Sequence, residues 1–150
     1  MVGKVWKVLV LGAAAVAVSC GGTAASPTPN PPSPLPPGGP PRALDSVTIT
    51  ISAQGFRLDS AAAAFFTLET LRVFQGSRLT FVNQNTVAHD IQSGPPHLHT
   101  DCPEIGGAGF LVPGQTKSTD PLNRLVSCTF HDHHYETDPR FSGRVVVEAR

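Results

Sequence analysis

Nine of the chain's fifteen prolines crowd into residues 27–41, with Ser, Thr, Asn and Gly between them. Such a run cannot assemble a core and reads as an extended, semi-rigid spacer. Its alternative use is as a proline-rich ligand for another protein. It divides the 150 residues into a short N-terminal segment and a C-terminal stretch that alone can fold. That stretch is long enough for one domain and one sandwich-sized core.

The N-terminal segment reads as an export signal. Lys4 and Lys7 make a positive start, and residues 8–18 are an apolar run too short to span a bilayer. The run ends in Ala17-Val18-Ser19-Cys20-Gly21, which resembles the bacterial lipoprotein signal, with Ala17 where Leu is more usual. The resemblance implies cleavage before Cys20 and lipid on Cys20. Each buried methylene then adds about 0.8 kcal/mol of membrane affinity. Ordinary secretion is the alternative. The expected organisation is a signal peptide over 1–19, a lipidated cysteine and linker over 20–43, and a folded domain over 44–150. The protein would sit outside the bacterial cytoplasm on a membrane, in the periplasm or at the cell surface.

Removing Lys4 and Lys7 leaves nine basic against eleven acidic side chains, a formal −2. No Lys/Arg run occurs, so nucleic acid is excluded as a partner. No nucleophile elbow and no phosphate-cradling glycine loop are present, so the chain does not read as an enzyme.

Short strands dominate the folded part. Residues 46–52 (S-V-T-I-T-I-S) alternate strictly, with Val47, Ile49 and Ile51 on one face. Residues 70–74 and 77–83 read as two strands around a Gln75-Gly76 turn, with Val73, Leu79 and Phe81 inward. Further strands are expected over 86–91, 116–119, 124–130 and 144–149, the 116–119 and 124–130 pair as a hairpin. Residues 61–66 are either one helical turn or irregular. Turn signals about every ten residues, without a long amphipathic helix, predict an all-β protein: an antiparallel β-sandwich.

The chemistry gathers in residues 127–143, S-C-T-F-H-D-H-H-Y-E-T-D-P-R-F-S-G. Cys128 stands three residues before His131, and His133 and His134 follow. Thiolate and imidazole together suggest a soft transition-metal site, and a trigonal copper site needs two imidazoles and one thiolate. His89, at the end of a predicted strand, is the candidate for the second imidazole. Against this stands a disulfide. If Cys20 is lipidated, Cys102 and Cys128 remain, and two cysteines in an exported protein invite a bridge. A bridged Cys128 could not ligate copper as a thiolate.

The order of motifs resembles the cupredoxin family. L-R-V-F-Q-G-S-R-L-T-F-V-N-Q-N-T-V-A-H-D-I (71–91) is similar to its strand, turn, strand and first histidine. V-P-G-Q-T (112–116) is similar to its proline-glycine turn, and Cys128-x-x-His131 with F-S-G-R-V-V-V (141–147) to its closing loop and last strand. P-H-L-H-T-D-C-P (96–103) resembles a histidine-bearing stretch of some bacterial members. The resemblance implies a Greek-key β-sandwich binding one copper ion through His89, Cys128 and His131. It also implies a monomer that carries single electrons to a redox partner protein. Phe141 stands where the family commonly has an axial Met, and Asp90 where it often has Asn.

Other readings stay open. His97, His99 and His133 are candidates for an auxiliary imidazole metal site. His133 and His134 could instead be solvated, or replace His131. Asp132, Glu136 and Asp138 read as a solvated loop or an acidic rim for a partner. Phe65, Phe66, Phe81 and Phe130 read as core. At the level of function, the alternatives to an electron carrier are two. One is a non-redox copper-binding or delivery lipoprotein with a Cys102–Cys128 disulfide; the other is a metal-free structural sandwich.

Overall fold

Strand β1 (Leu44–Ser52) carries the alternation seen in the sequence, and Val47, Ile49 and Ile51 are buried by it. The structure, a computed structural model, describes Ala43–Arg150. The expected signal peptide, Cys20 and the proline-rich run lie outside the described residues. From β1 the chain turns into β2 (Gly55–Leu58), which pairs antiparallel with it and sets Ile51 opposite Phe56. One helical turn follows, α1 (Ser60–Ala63), where Asp59 accepts the Ala62 N–H at 2.9 Å as N-cap.

The Gln75-Gly76 turn is not a turn between two strands. Residues 71–83 form a single strand, β3 (Leu71–Asn83), which passes through Gly76 at φ 88°. That left-handed backbone suits glycine and lets one strand serve two sets of neighbours. On one side of Gly76, Leu71 and Val73 pair with Val145 and Val147 of the last strand. On the other, Leu79 and Phe81 pair with Val47 and Ile49 of β1.

The remaining strands are β4 (His89–Ser93), β5 (Gly109–Leu111), β6 (Thr116–Ser118), β7 (Ser127–Asp132) and β8 (Ser142–Glu148). The order is β2-β1-β3-β8-β7-β4-β5, with β6 paired to β3. The expected β6–β7 hairpin is therefore corrected: Thr116 and Ser118 of β6 lie against Val82 and Thr80 of β3. The sheet is also mixed rather than wholly antiparallel, because β1–β3 and β3–β8 run parallel. Parallel neighbours need a crossover, and here β2 with α1, and then β4 to β7, lie between the paired strands in sequence.

The all-β sandwich class is the expected one. Its two layers meet on aromatic rings: Phe56 and Phe81 lie 6.0 and 5.8 Å from Phe130, and Phe141 lies 5.7 Å from Phe56. Val73, Leu79 and Phe81 point inward as expected. Phe65 does not; it is 64% exposed just after α1, while its neighbour Phe66 takes the core position. Among the described residues no helix is long and apolar enough to cross a membrane.

Candidate metal centre

β7 is central to this end of the sandwich, since β4 pairs with one of its edges and β8 with the other. It carries Cys128, His131 and Asp132, all buried. Their side chains have separate fates.

Cys128 is joined to Cys102 by a disulfide, with the Cα atoms 5.8 Å apart. Cys102 sits immediately before a 3-10 turn, Pro103–Gly107, so the bridge ties that turn to β7. This corrects Cys128 as a thiolate ligand. A half-cystine sulfur lacks the thiolate charge and donor strength that a His2Cys copper site requires.

His89 is fully buried at the start of β4, and both of its ring nitrogens are engaged. Nδ1 meets the Asp132 carboxylate, and Nε2 lies 3.1 Å from Asn85 Nδ2. Asn85 Oδ1 accepts the Thr86 N–H at 2.8 Å, which turns the amide nitrogen toward His89 as a donor. So Nε2 accepts and Nδ1 donates. The ring packs against Tyr135 and Phe141, each 5.6 Å away, in a three-ring cluster in which those two stack on each other at 4.5 Å. Phe141, the expected axial position, thus packs on His89. Neither nitrogen has a lone pair to spare, and His89, Cys128 and His131 do not form a ligand set that fits copper.

Asp132 was expected in a solvated loop or an acidic rim, and it is fully buried. It is instead the link between His89 and the next segment. Its Oδ1 accepts the His134 N–H at 3.0 Å and caps the 3-10 turn His133–Tyr135. The buried pair therefore orients the turn that presents His133.

His131 has the opposite arrangement from His89. Its Nδ1 donates to the Gly94 carbonyl at 2.9 Å, and its Nε2 is buried without a hydrogen bond inside the protein. Burial lowers its pKa, and the net shift is downward: the Gly94 carbonyl and Glu136 work to raise it, and the nearby rings of His99 and His133 to lower it. The result keeps a lone pair on the ring, which a ligand needs. His99 comes from the loop after β4, and its Nδ1 is likewise buried and unpartnered. The ring centroids of His99 and His131 are 5.3 Å apart, and those of His99 and His133 are 5.1 Å apart.

Glu136 completes the group. One ligating atom from each of His99, His131, His133 and Glu136 lies within 4.8 Å of all the others. The carboxylate is held from two directions, by His133 Nδ1 at 2.7 Å and by His97 Nε2 at 3.2 Å. Three imidazoles and a carboxylate suit copper, zinc or nickel. Two buried, unpartnered ring nitrogens on members of the group, His99 Nδ1 and His131 Nε2, are the observation that fits a metal, because such atoms are costly unless something binds them. A cleft of about 370 Å³ runs past His131 and Glu136, with Glu69, Pro95, Pro96 and Pro139 among its walls.

The structure thus brings together two of the three auxiliary candidates, His99 and His133, with His131. His97 stays just outside, on Glu136, and His134 turns away toward Ala88 and Phe110. Glu136, Asp132 and Asn85 were missed as site residues. For Glu136 the signal was its position three residues after His133, which one helical turn places on the same side.

No family model matches the chain, and no curated protein matches it in sequence. Solved structures do resemble it. Amicyanin from Paracoccus versutus (Thiobacillus versutus) is 17% identical with a TM-score of 0.47, over 69% of this chain and 82% of that one. A copper(I) structure of an amicyanin mutant is 18% identical with a TM-score of 0.46, over 69% and 83%. At that distance the likeness says nothing of what this chain binds.

Proposed function

We propose that this protein is an extracytoplasmic copper-binding lipoprotein that holds or hands on the ion rather than carrying electrons. It would bind one copper through His99, His131, His133 and Glu136. The observation that carries the reading is the pairing of a Cys102–Cys128 disulfide with two buried, unpartnered imidazole nitrogens. The bridge withdraws the thiolate that would let one geometry serve both copper oxidation states. What remains is an imidazole-carboxylate set, and among divalent ions such sites hold copper most tightly.

The disulfide also suits an oxidising compartment. Cys20 as lipid anchor and the proline-rich run as spacer would hold the domain away from a membrane, within reach of a partner that gives or takes the ion. No catalytic role is assigned.

The test is uptake of Cu(II) by the full chain, followed by gel filtration, a visible spectrum and alkylation of free thiols. One retained copper per chain, only weak visible absorption, and Cys102 and Cys128 protected from alkylation are expected. An intense thiolate-to-copper band would restore the electron-carrier reading. Absence of retained copper would leave a structural sandwich.

A further inference from the structure

His97 belongs to no ligand set, yet it is built onto one. Its side chain is 80% exposed, and its Nε2 lies 3.2 Å from the Glu136 oxygen that His133 leaves free. The loop that carries it is unusual. His97 and His99 have φ of 71° and 46°, a left-handed backbone uncommon for residues other than glycine, with His, Asn and Asp the types that adopt it most readily. Backbone strain of this kind persists only where the surroundings impose it, and it gathers at ligand sites. Pro95 and Pro96 lead into the turn, and the Leu98 N–H closes it on the Pro95 carbonyl at 3.1 Å. Two histidines on one short turn therefore serve the same cluster from different depths.

The donors form a graded series. His131 is 2% exposed and its free nitrogen is buried, as is that of His99. The His133 side chain is 45% exposed, and that of His97 is the most exposed of the four. A hydrated divalent ion cannot meet the buried nitrogens before it sheds water. It can exchange a first water for an imidazole only where that imidazole faces solvent. Two imidazoles at the cluster meet that condition, His133 within the ligand set and His97 beside it, and His97 is the more exposed of the two.

We propose that His97 is a capture residue for this centre: a transient ligand that takes the incoming ion at the surface and passes it to His99, His131, His133 and Glu136. This rests on the functional reading given above. His97 and Glu136 bind the ion together while part of its hydration remains. Glu136 then carries it inward as the buried nitrogens replace water. The same path, reversed, releases it. A group that acts only along the path must speed loading and release equally and leave the equilibrium unchanged.

Stopped-flow mixing of the full chain with Cu(II) held by a fluorescent copper chelator, read by the change in chelator emission, tests this. For His97→Ala, the association and dissociation rates should both fall roughly tenfold, with the dissociation constant held within about twofold. For His99→Ala, the dissociation constant itself should rise. If His97→Ala weakens equilibrium binding as much as His99→Ala does, His97 is a permanent ligand and the proposal is wrong. Unchanged rates in His97→Ala overturn it as well, while leaving the metal centre standing. If the unmodified chain takes up no Cu(II), both the centre and the capture role fall.

Discussion

His89 donates its Nδ1 hydrogen to Asp132, and neither side chain reaches solvent. The pair joins the first residue of β4 to the last residue of β7, and through Asp132 it also caps the turn that bears His133. Its role is therefore in folding and orientation. Replacing His89 with Ala leaves a buried carboxylate without its partner and should destabilise the domain by about 3 kcal/mol. Chemical denaturation measures this. Copper affinity of the folded fraction should change far less than in a His131 variant; an equal loss would make His89 a ligand.

His131 and His134 are three residues apart and face different surroundings. His131→Ala removes a buried ligating nitrogen and should weaken Cu(II) binding by about a hundredfold or more. His134→Ala, whose ring contacts Ala88 and Phe110 instead, should leave binding within about twofold. Competition titration against a chelator of known affinity separates the two.

The Cys102–Cys128 bridge closes a loop of 26 residues. Replacing both cysteines with Ala should lower stability by roughly 3 kcal/mol, since the unfolded chain regains the freedom of that loop. Copper binding to the folded double variant should survive, because the bridge supplies no ligand. A parallel loss of copper would show that sulfur takes part.

Gly143 pairs with Phe130 across β7 and β8, and a Cβ there would stand 2.4 Å from the Phe130 ring. Phe130 is itself packed among Phe56 and Phe81, so it has little room to retreat. Gly143→Ala should therefore cost about 1–3 kcal/mol by overpacking, read as a lower denaturation midpoint with an unchanged slope.

Asp59 gives a pH dependence of known sign. Partial burial works to raise its pKa, but the backbone N–H groups of Ala62, Thr48 and Ala61 outweigh it and hold the carboxylate below its ordinary value. A carboxylate depressed in the fold contributes stability above its unfolded pKa, and that contribution is lost as pH falls through the folded value. Asp59→Ala should cost about 1 kcal/mol near neutrality, the usual worth of an N-cap. The difference from the parent should shrink as pH drops below about 4. Urea titrations of both proteins across that range test it.

Much of the sandwich was legible because strand alternation is a local signal. Val47, Ile49 and Ile51 announce a buried face whatever lies opposite, whereas the expected 144–149 strand buries only alternate residues, Val145 and Val147. Pairing was not legible in the same way. Nothing within 75–76 says that β3 continues through Gly76 to serve two layers, since that depends on β1 and β8 arriving on its two halves. Phe65 and Phe66 show the same limit. Both are equally apolar, and only the end of α1 decides which of them enters the core.

The site divides along the same line. Residue types and short spacings are properties of the chain alone, and they pointed to metal chemistry at His89, Cys128 and His131, with His97, His99 and His133 as an auxiliary group. They also left the bridge between Cys102 and Cys128 open. Which atoms stay free is a matter of neighbours brought from far along the chain. Asp132 and Asn85 engage both nitrogens of His89, Cys102 takes the sulfur of Cys128, and Gly94 takes one nitrogen of His131 and leaves the other. A ligand is a lone pair at a position, and its position and freedom are set by contacts between residues tens of positions apart. Sequence supplies the donors; only the folded arrangement decides which of them remain to bind.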